Sequence, residues 1–169
     1  LLLPAQAEHG DAHTRLERVD LAAVALHCVE QLAALADRRR IDLGLEAPQQ
    51  TADTVVLAQP ALLDALVTNL LDNALRYTQE GGRVTLGVRL AVADVELTVE
   101  DNGPGIPAEA MERVFERFYR VAQETEGTGL GLAIVQEIAR AFGAMVQLAA
   151  NPQGPHGLLV TVRFPVVAA

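Results

Sequence analysis

Hydrophobic residues follow two rhythms along this chain. A helical one puts Leu21, Val24, Leu32 and Leu35 on one stripe behind Asp20, a suitable N-cap, and predicts a helix to about Arg39. A second helix opens at Pro60, a residue favoured in first turns, and runs to about Tyr77. A third, "GLGLAIVQEIARAFG", is closed by Gly143. Alternation marks the strands: "IDLGLEA" (41–47), the short "TVVL" (54–57), and "RVTLGVRLAV" with "DVELTVED" as a hairpin turning near Ala93–Asp94. "AMVQLAAN" and "GLLVTVRFPV" form a last hairpin around "PQGPHG", while residues 102–128 are loop-rich with a short helical piece. The predicted fold is α+β: a two-layer sandwich with a mixed, mostly antiparallel sheet and helices on one face. The first 18 residues keep no period and read as the tail of something upstream.

Two places break this pattern. In "VELTVEDNGPGIP" the strand parity puts Asp101 on the side of Val95, Leu97 and Val99, facing the core. A carboxylate there is costly unless paired, so it either bonds to local backbone or waits for a ligand. In "LLDALVTNLLDNALRY" the helical wheel gives an apolar arc of Leu62, Leu63, Leu66, Val67, Leu70, Leu71 and Ala74, with Asp64, Thr68 and Asp72 opposite. Asn73 falls inside that arc, and Asn69 and Arg76 at its border. Asn69 and Asn73 are i, i+4 and share a face. Asn is a poor helix-interior residue, so the pair needs partners from protein or ligand. Amide oxygens suit Mg²⁺, which is commonly shared with phosphates.

A third signal is weaker. "EGTGLGLAIV" places Gly127, Gly129 and Gly131 at a helix start, where N–H groups and the dipole favour an anion. The spacing is not a dinucleotide fingerprint, and no apolar strand precedes it. Between the two glycine stretches, "MERVFERFYR" holds Phe115, Phe118 and Tyr119, three of the six aromatics in the chain. They form either a small satellite core or a cover over a ligand.

Composition narrows the chemistry. The 169 residues suit one domain, and a net charge of −9 argues against a nucleic-acid surface. All 13 basic residues are Arg, which excludes a P-loop Lys and Schiff-base chemistry. Cys28 has no partner for an internal disulfide, and its place among Val24, Leu32 and Leu35 reads as a buried thiol. No apolar run reaches the ~20 residues of a membrane span, and no signal peptide is visible.

Together the stretches resemble the catalytic ATP-binding domain of sensor histidine kinases, in the superfamily shared with DNA gyrase and heat-shock chaperone ATPases (the Bergerat fold). "NLLDNALRY" is similar to the N box, "DNGPGI" to the first glycine box, "FERFYR" to the F box and "GTGLGLAIV" to the second glycine box, in the family's order, across about residues 20–165. The resemblance implies that Asp101 accepts a hydrogen bond from the adenine amine, which disfavours guanine. Gly103 and Gly105 would let the chain pass the base, Ile106 would pack on it, and Tyr77 would line its pocket. Asn73 would hold Mg²⁺ against the phosphates of ATP, and Arg76 stands where many relatives carry Lys. Arg120 would reach the γ-phosphate. Gly127, Thr128, Gly129 and Gly131 would cradle the phosphates, with Leu130 and Leu132 anchoring that helix.

Asn69 separates kinase from ATPase. The ATPase branches carry a Glu there as general base for water; an amide can only orient a water or phosphate. Asn69 and Arg120 are therefore the expected catalytic residues of a kinase that waits for a better nucleophile, an imidazole on a separate helical hairpin. His9, His13, His27 and His156 do not sit in the family's phosphoacceptor context. The expected organisation is a remnant of the upstream dimerisation hairpin at 1–18 and a catalytic domain at 19–169 with a lid at about 107–128. The expected partners are that phosphoacceptor hairpin and a response regulator. The fragment is expected to be monomeric, without autophosphorylation of its own, and to be the cytoplasmic part of an inner-membrane sensor kinase. Rival readings are an ATPase or anti-sigma serine kinase of the same fold, and a docking module that ignores nucleotide.

Overall fold

The computed structural model describes residues 15–48, 54–117 and 131–167. In chain order these form β1 (Glu17–Asp20), α1 (Leu21–Arg38), β2 (Asp42–Glu46), β3 (Val55–Ala58), α2 (Pro60–Tyr77), β4 (Arg83–Leu90), β5 (Asp94–Asp101), two 3₁₀ turns (Ala108–Ala110 and Arg113–Phe115), α3 (Gly131–Ala141), β6 (Met145–Ala150) and β7 (Leu158–Pro165). The helix starting signals act as expected. The Asp20 carboxylate accepts from Ala22 N at 3.1 Å, capping α1, and also from Thr54 Oγ1 at 2.7 Å, tying the cap to β3. At the end of α3, Gly143 takes φ +67 and Ala144 N reaches back to Ala139 O at 2.8 Å.

Five strands make the main sheet in the order β2-β4-β5-β7-β6, with β2 parallel to β4 and the other pairs antiparallel. One face carries Val84, Leu86, Val88, Val95, Leu97, Val99, Val160, Val162 and Phe164, all buried in a single core with the three helices. The strand β1 was not expected. It pairs antiparallel with β3 as a separate two-stranded ribbon, and "ERVD" offers only Val19 as an apolar signal.

The core face of α2 is rotated from the expected arc. Leu75 joins it and Leu62 is only half-buried at its edge. The cause is α1, which covers one flank: Cys28 Sγ lies 3.4 Å from Asp64 Oδ1 and 3.6 Å from Thr68 Oγ1, and Arg39 donates to Leu75 O. Asp64 and Thr68, opposite the expected apolar arc, thus face a neighbouring helix. Burial and the adjacent Asp64 push the Cys28 thiol up to about 11, so it packs and stays unreactive. On the other sheet face Glu96 is only 6 % exposed. Register explains this: Arg89, Glu96 and Arg163 stand side by side on β4, β5 and β7, at 2.6 and 3.3 Å from the carboxylate.

Candidate nucleotide site

Three ends of the fold meet at one edge of the sandwich: the last turn of α2, the last residue of β5 and the first of α3. Asp101 keeps the core-facing parity of its strand and is 7 % exposed. Its Oδ1 accepts from Gly103 N at 3.0 Å and from Leu158 N at 3.2 Å. Of the described residues, none donates to Oδ2. Burial holds its carboxyl above the usual carboxylate range, with the nearby Glu100 adding to it against the two N–H groups. The carboxylate is oriented by backbone but not fully repaid for leaving water.

The "DNGPGI" loop then presses against the end of α2. A Cβ on Gly103 would stand 3.0 Å from Tyr77 O, 3.2 Å from Asp101 Oδ1 and 3.3 Å from Thr78 Cα, a space that only glycine fits without displacement. Asn102 Oδ1 accepts from Arg83 N at 2.7 Å and pins the loop to β4. Gly105 has φ +76, and half-buried Ile106 packs against the core. Tyr77 is likewise half-buried.

Asn69 lies half-buried at the border of the apolar arc of α2, and Asn73 is likewise half-buried rather than inside that arc. Asn69 Nδ2 donates to Ala65 O at 2.7 Å, one turn back, which leaves its Oδ1 to face outward. Both Oδ1 atoms lie 4.0 Å from where a Cβ on Gly131 would stand, so two amide oxygens converge on the opening of α3. Leu132 next to it is buried. Arg76 donates from Nε to Asp72 Oδ2 at 2.9 Å on the same side of the helix. Arg120, Gly127, Thr128, Gly129 and Leu130 lie outside the described residues, as do Phe118 and Tyr119. Of the aromatic stretch, Phe115 packs against the core beside buried Val114, and Arg117 is ion-paired to Glu137 of α3.

Among the described residues no three His, Cys, Asp or Glu side chains cluster as a metal site. A cation here would depend on amide oxygens and on the ligand's own oxygens, which fits Mg²⁺ held against phosphates and not a metal caged by protein. Three residues escaped the sequence reading, and a fourth, His156, was weighed there only as a phosphoacceptor. Asn151, His156, Gly157 and Leu158 at the β6–β7 turn contact Asp101 or its loop, and only the pairing of β5 with β7 brings them there.

Comparison with known proteins agrees with this geometry. Residues 58–168 match the family described as histidine kinase-, DNA gyrase B-, and HSP90-like ATPase. The swarming motility regulation sensor protein RssA of Serratia marcescens is 40 % identical over 147 residues, covering 85 % of this chain and 30 % of that protein. The structure of the mycobacterial sensor histidine kinase MprB is 30 % identical with TM-score 0.76, over 91 % of this chain and 99 % of that one. Full-length ShkA in complex with AMPPNP is 29 % identical with TM-score 0.75, over 91 % of this chain and 32 % of that one. The chain spans about a third of the length of the curated relatives it matches. It belongs to the histidine kinase-, DNA gyrase B- and HSP90-like ATPase family, and corresponds to the catalytic domain of a sensor histidine kinase.

Proposed function

We propose that this domain binds ATP with Mg²⁺ and donates the γ-phosphoryl group to a histidine on a separate dimerisation and phosphoacceptor domain. The observation that carries the reading is the Asp101 carboxylate, buried at the edge of the sandwich and oriented through Oδ1 alone. Oδ2 is the acceptor for the adenine amine, and a guanine carbonyl in that place would meet like charge. Gly103 and Gly105 let the loop lie against the base, Ile106 and Tyr77 give it apolar contact, and Asn73 offers Mg²⁺ an oxygen. The bound ion neutralises phosphate charge. In this reading Arg76, Arg120, Gly127, Thr128, Gly129 and Gly131 surround the phosphates, Leu130 and Leu132 anchor the helix that begins there, and a lid at about 107–128 carries Arg120, Gly127 and Thr128.

Asn69 favours transfer over hydrolysis. Its amide cannot take a proton from water, and its nitrogen is committed to Ala65 O. The phosphoryl group is thus held without a base until an imidazole reaches it, and catalysis consists of positioning and charge neutralisation. The AMPPNP named with ShkA is in keeping with such a pocket. The domain proper begins with β1, whose Glu17 and Arg18 already pair with Ala58 and Leu57 of β3, two residues ahead of the expected boundary at 19; in this reading an upstream hairpin precedes it and a response regulator is the downstream partner. Among the described residues no helix is long and apolar enough to cross a membrane. In this reading any membrane anchor lies upstream, the domain is cytoplasmic, and the isolated piece is monomeric.

Asn73→Ala tests the metal role. ATP titrations should show that the variant loses most of the affinity gained on adding Mg²⁺ while its metal-free binding stays near wild type. Equal losses with and without Mg²⁺ would remove Asn73 from the metal.

A further inference from the structure

We propose that the β6–β7 turn is the positioning device for base recognition, with Asn151 and His156 holding the backbone that aims Asp101. This rests on the nucleotide reading above. Asn151 is 8 % exposed, and its Nδ2 donates to Asp101 O at 2.7 Å. Its own place is fixed twice: Asn151 N donates to Gly157 O at 3.1 Å, and Asn151 Oδ1 accepts from Gln153 N at 2.8 Å. His156 Nδ1 stands 2.8 Å from Gly103 O. A carbonyl only accepts, so Nδ1 carries the proton. Leu158 N, just beyond the turn, holds Asp101 Oδ1. One turn therefore grips Asp101 at its carbonyl and its carboxylate, and the following glycine at its carbonyl.

These residues act from behind the site. The cleft they border, about 270 Å³, is lined also by Arg83, Thr85 and Glu100, and the last two have the strand parity opposite to the core-facing residues. Asn151 and His156 thus reach a base only through Asp101 and Gly103, which makes them positioning residues. Neither backbone carbonyl they hold has a reason to point elsewhere while the turn is intact.

The test is titration of wild type, Asn151→Ala, His156→Leu and His156→Asn with ATP and with ITP, which carries a carbonyl where adenine has its amine. The preference for ATP over ITP should fall about tenfold in Asn151→Ala and about threefold in His156→Leu, the range expected for one lost hydrogen bond. His156→Asn places an amide donor where Nδ1 was and should restore the preference. Unchanged preference in both variants, or equal losses for ATP and ITP, would overturn the proposal and leave the turn a purely structural element. His156 is exposed, so its variants decide the matter if Asn151→Ala does not fold. A wild-type chain that does not distinguish ATP from ITP would overturn the nucleotide reading itself. One that distinguishes them, with His156→Leu and Asn151→Ala doing so equally well, would overturn the turn's role alone.

Discussion

Asp101→Asn is expected to make the domain more heat-stable while removing most of its affinity for ATP. The structural half follows from the pKa shift. Burial raises the folded-state pKa of Asp101, so the folded chain favours the protonated carboxyl. Its contribution to stability is full below the ordinary carboxylate range and is lost as pH rises through the raised value; at neutral pH the charge is a net cost. Asparagine keeps an Oδ1 for Gly103 N and Leu158 N and carries no charge, so the cost disappears. The functional half follows from the other oxygen. An amide nitrogen turned toward the adenine amine sets donor against donor and forfeits a charge-assisted bond of about 1.5–3 kcal/mol, roughly ten- to 150-fold in affinity. Melting curves of both chains at neutral and acid pH, with ATP titrations, check the pair. The stability gain should vanish at acid pH, where wild-type Asp101 is already neutral. A destabilised variant would refute the electrostatic account, and unchanged ATP affinity would refute the adenine role.

Gly157→Ala is expected to be the most damaging single methyl in the described chain. The added Cβ would stand 2.0 Å from Asp101 O and 3.0 Å from Asn102 Cα, against backbone that cannot rotate away, at a φ of +126. Strain and overpacking together place the loss at about 3 kcal/mol or more. The displaced atoms belong to the base-reading loop, so ATP affinity should fall in whatever fraction remains folded. Gly154→Ala, three residues earlier in the same turn, is the internal control: its nearest neighbour, His156 O, is at an ordinary 3.7 Å, and it should be near neutral. Chemical denaturation of the two variants distinguishes them, and similar stabilities would contradict the packing described.

The contrast between these two glycines shows what a sequence reveals and what it conceals. The helix Pro60–Tyr77 was legible to the residue because a proline at its start and a leucine period along it are local signals. The same holds for β5, whose alternation carries through to Asp101. Other features depend on contacts between distant segments. Nothing local in α2 announces that α1 covers its Asp64 and Thr68 flank, so the leucine period alone puts Leu62 in the apolar arc and leaves Leu75 out. The burial of Glu96 needs Arg89 and Arg163 in register with it. The stretch "PQGPHG" reads locally as no more than a hairpin connection, because the grip of the turn on Asp101 exists only once β5 pairs with β7. Asn69 and Asn73 were recognisable as anomalies on a helix, but their convergence on Gly131 required the packing of α3 against α2.

The most direct test of the central claim is calorimetric titration of this chain with a non-hydrolysable ATP analogue and with GTP, each with and without Mg²⁺. The structure leads us to expect one site, strong preference for adenine and a clear gain on adding Mg²⁺. Binding that is absent, or equal for adenine and guanine nucleotides, would contradict it.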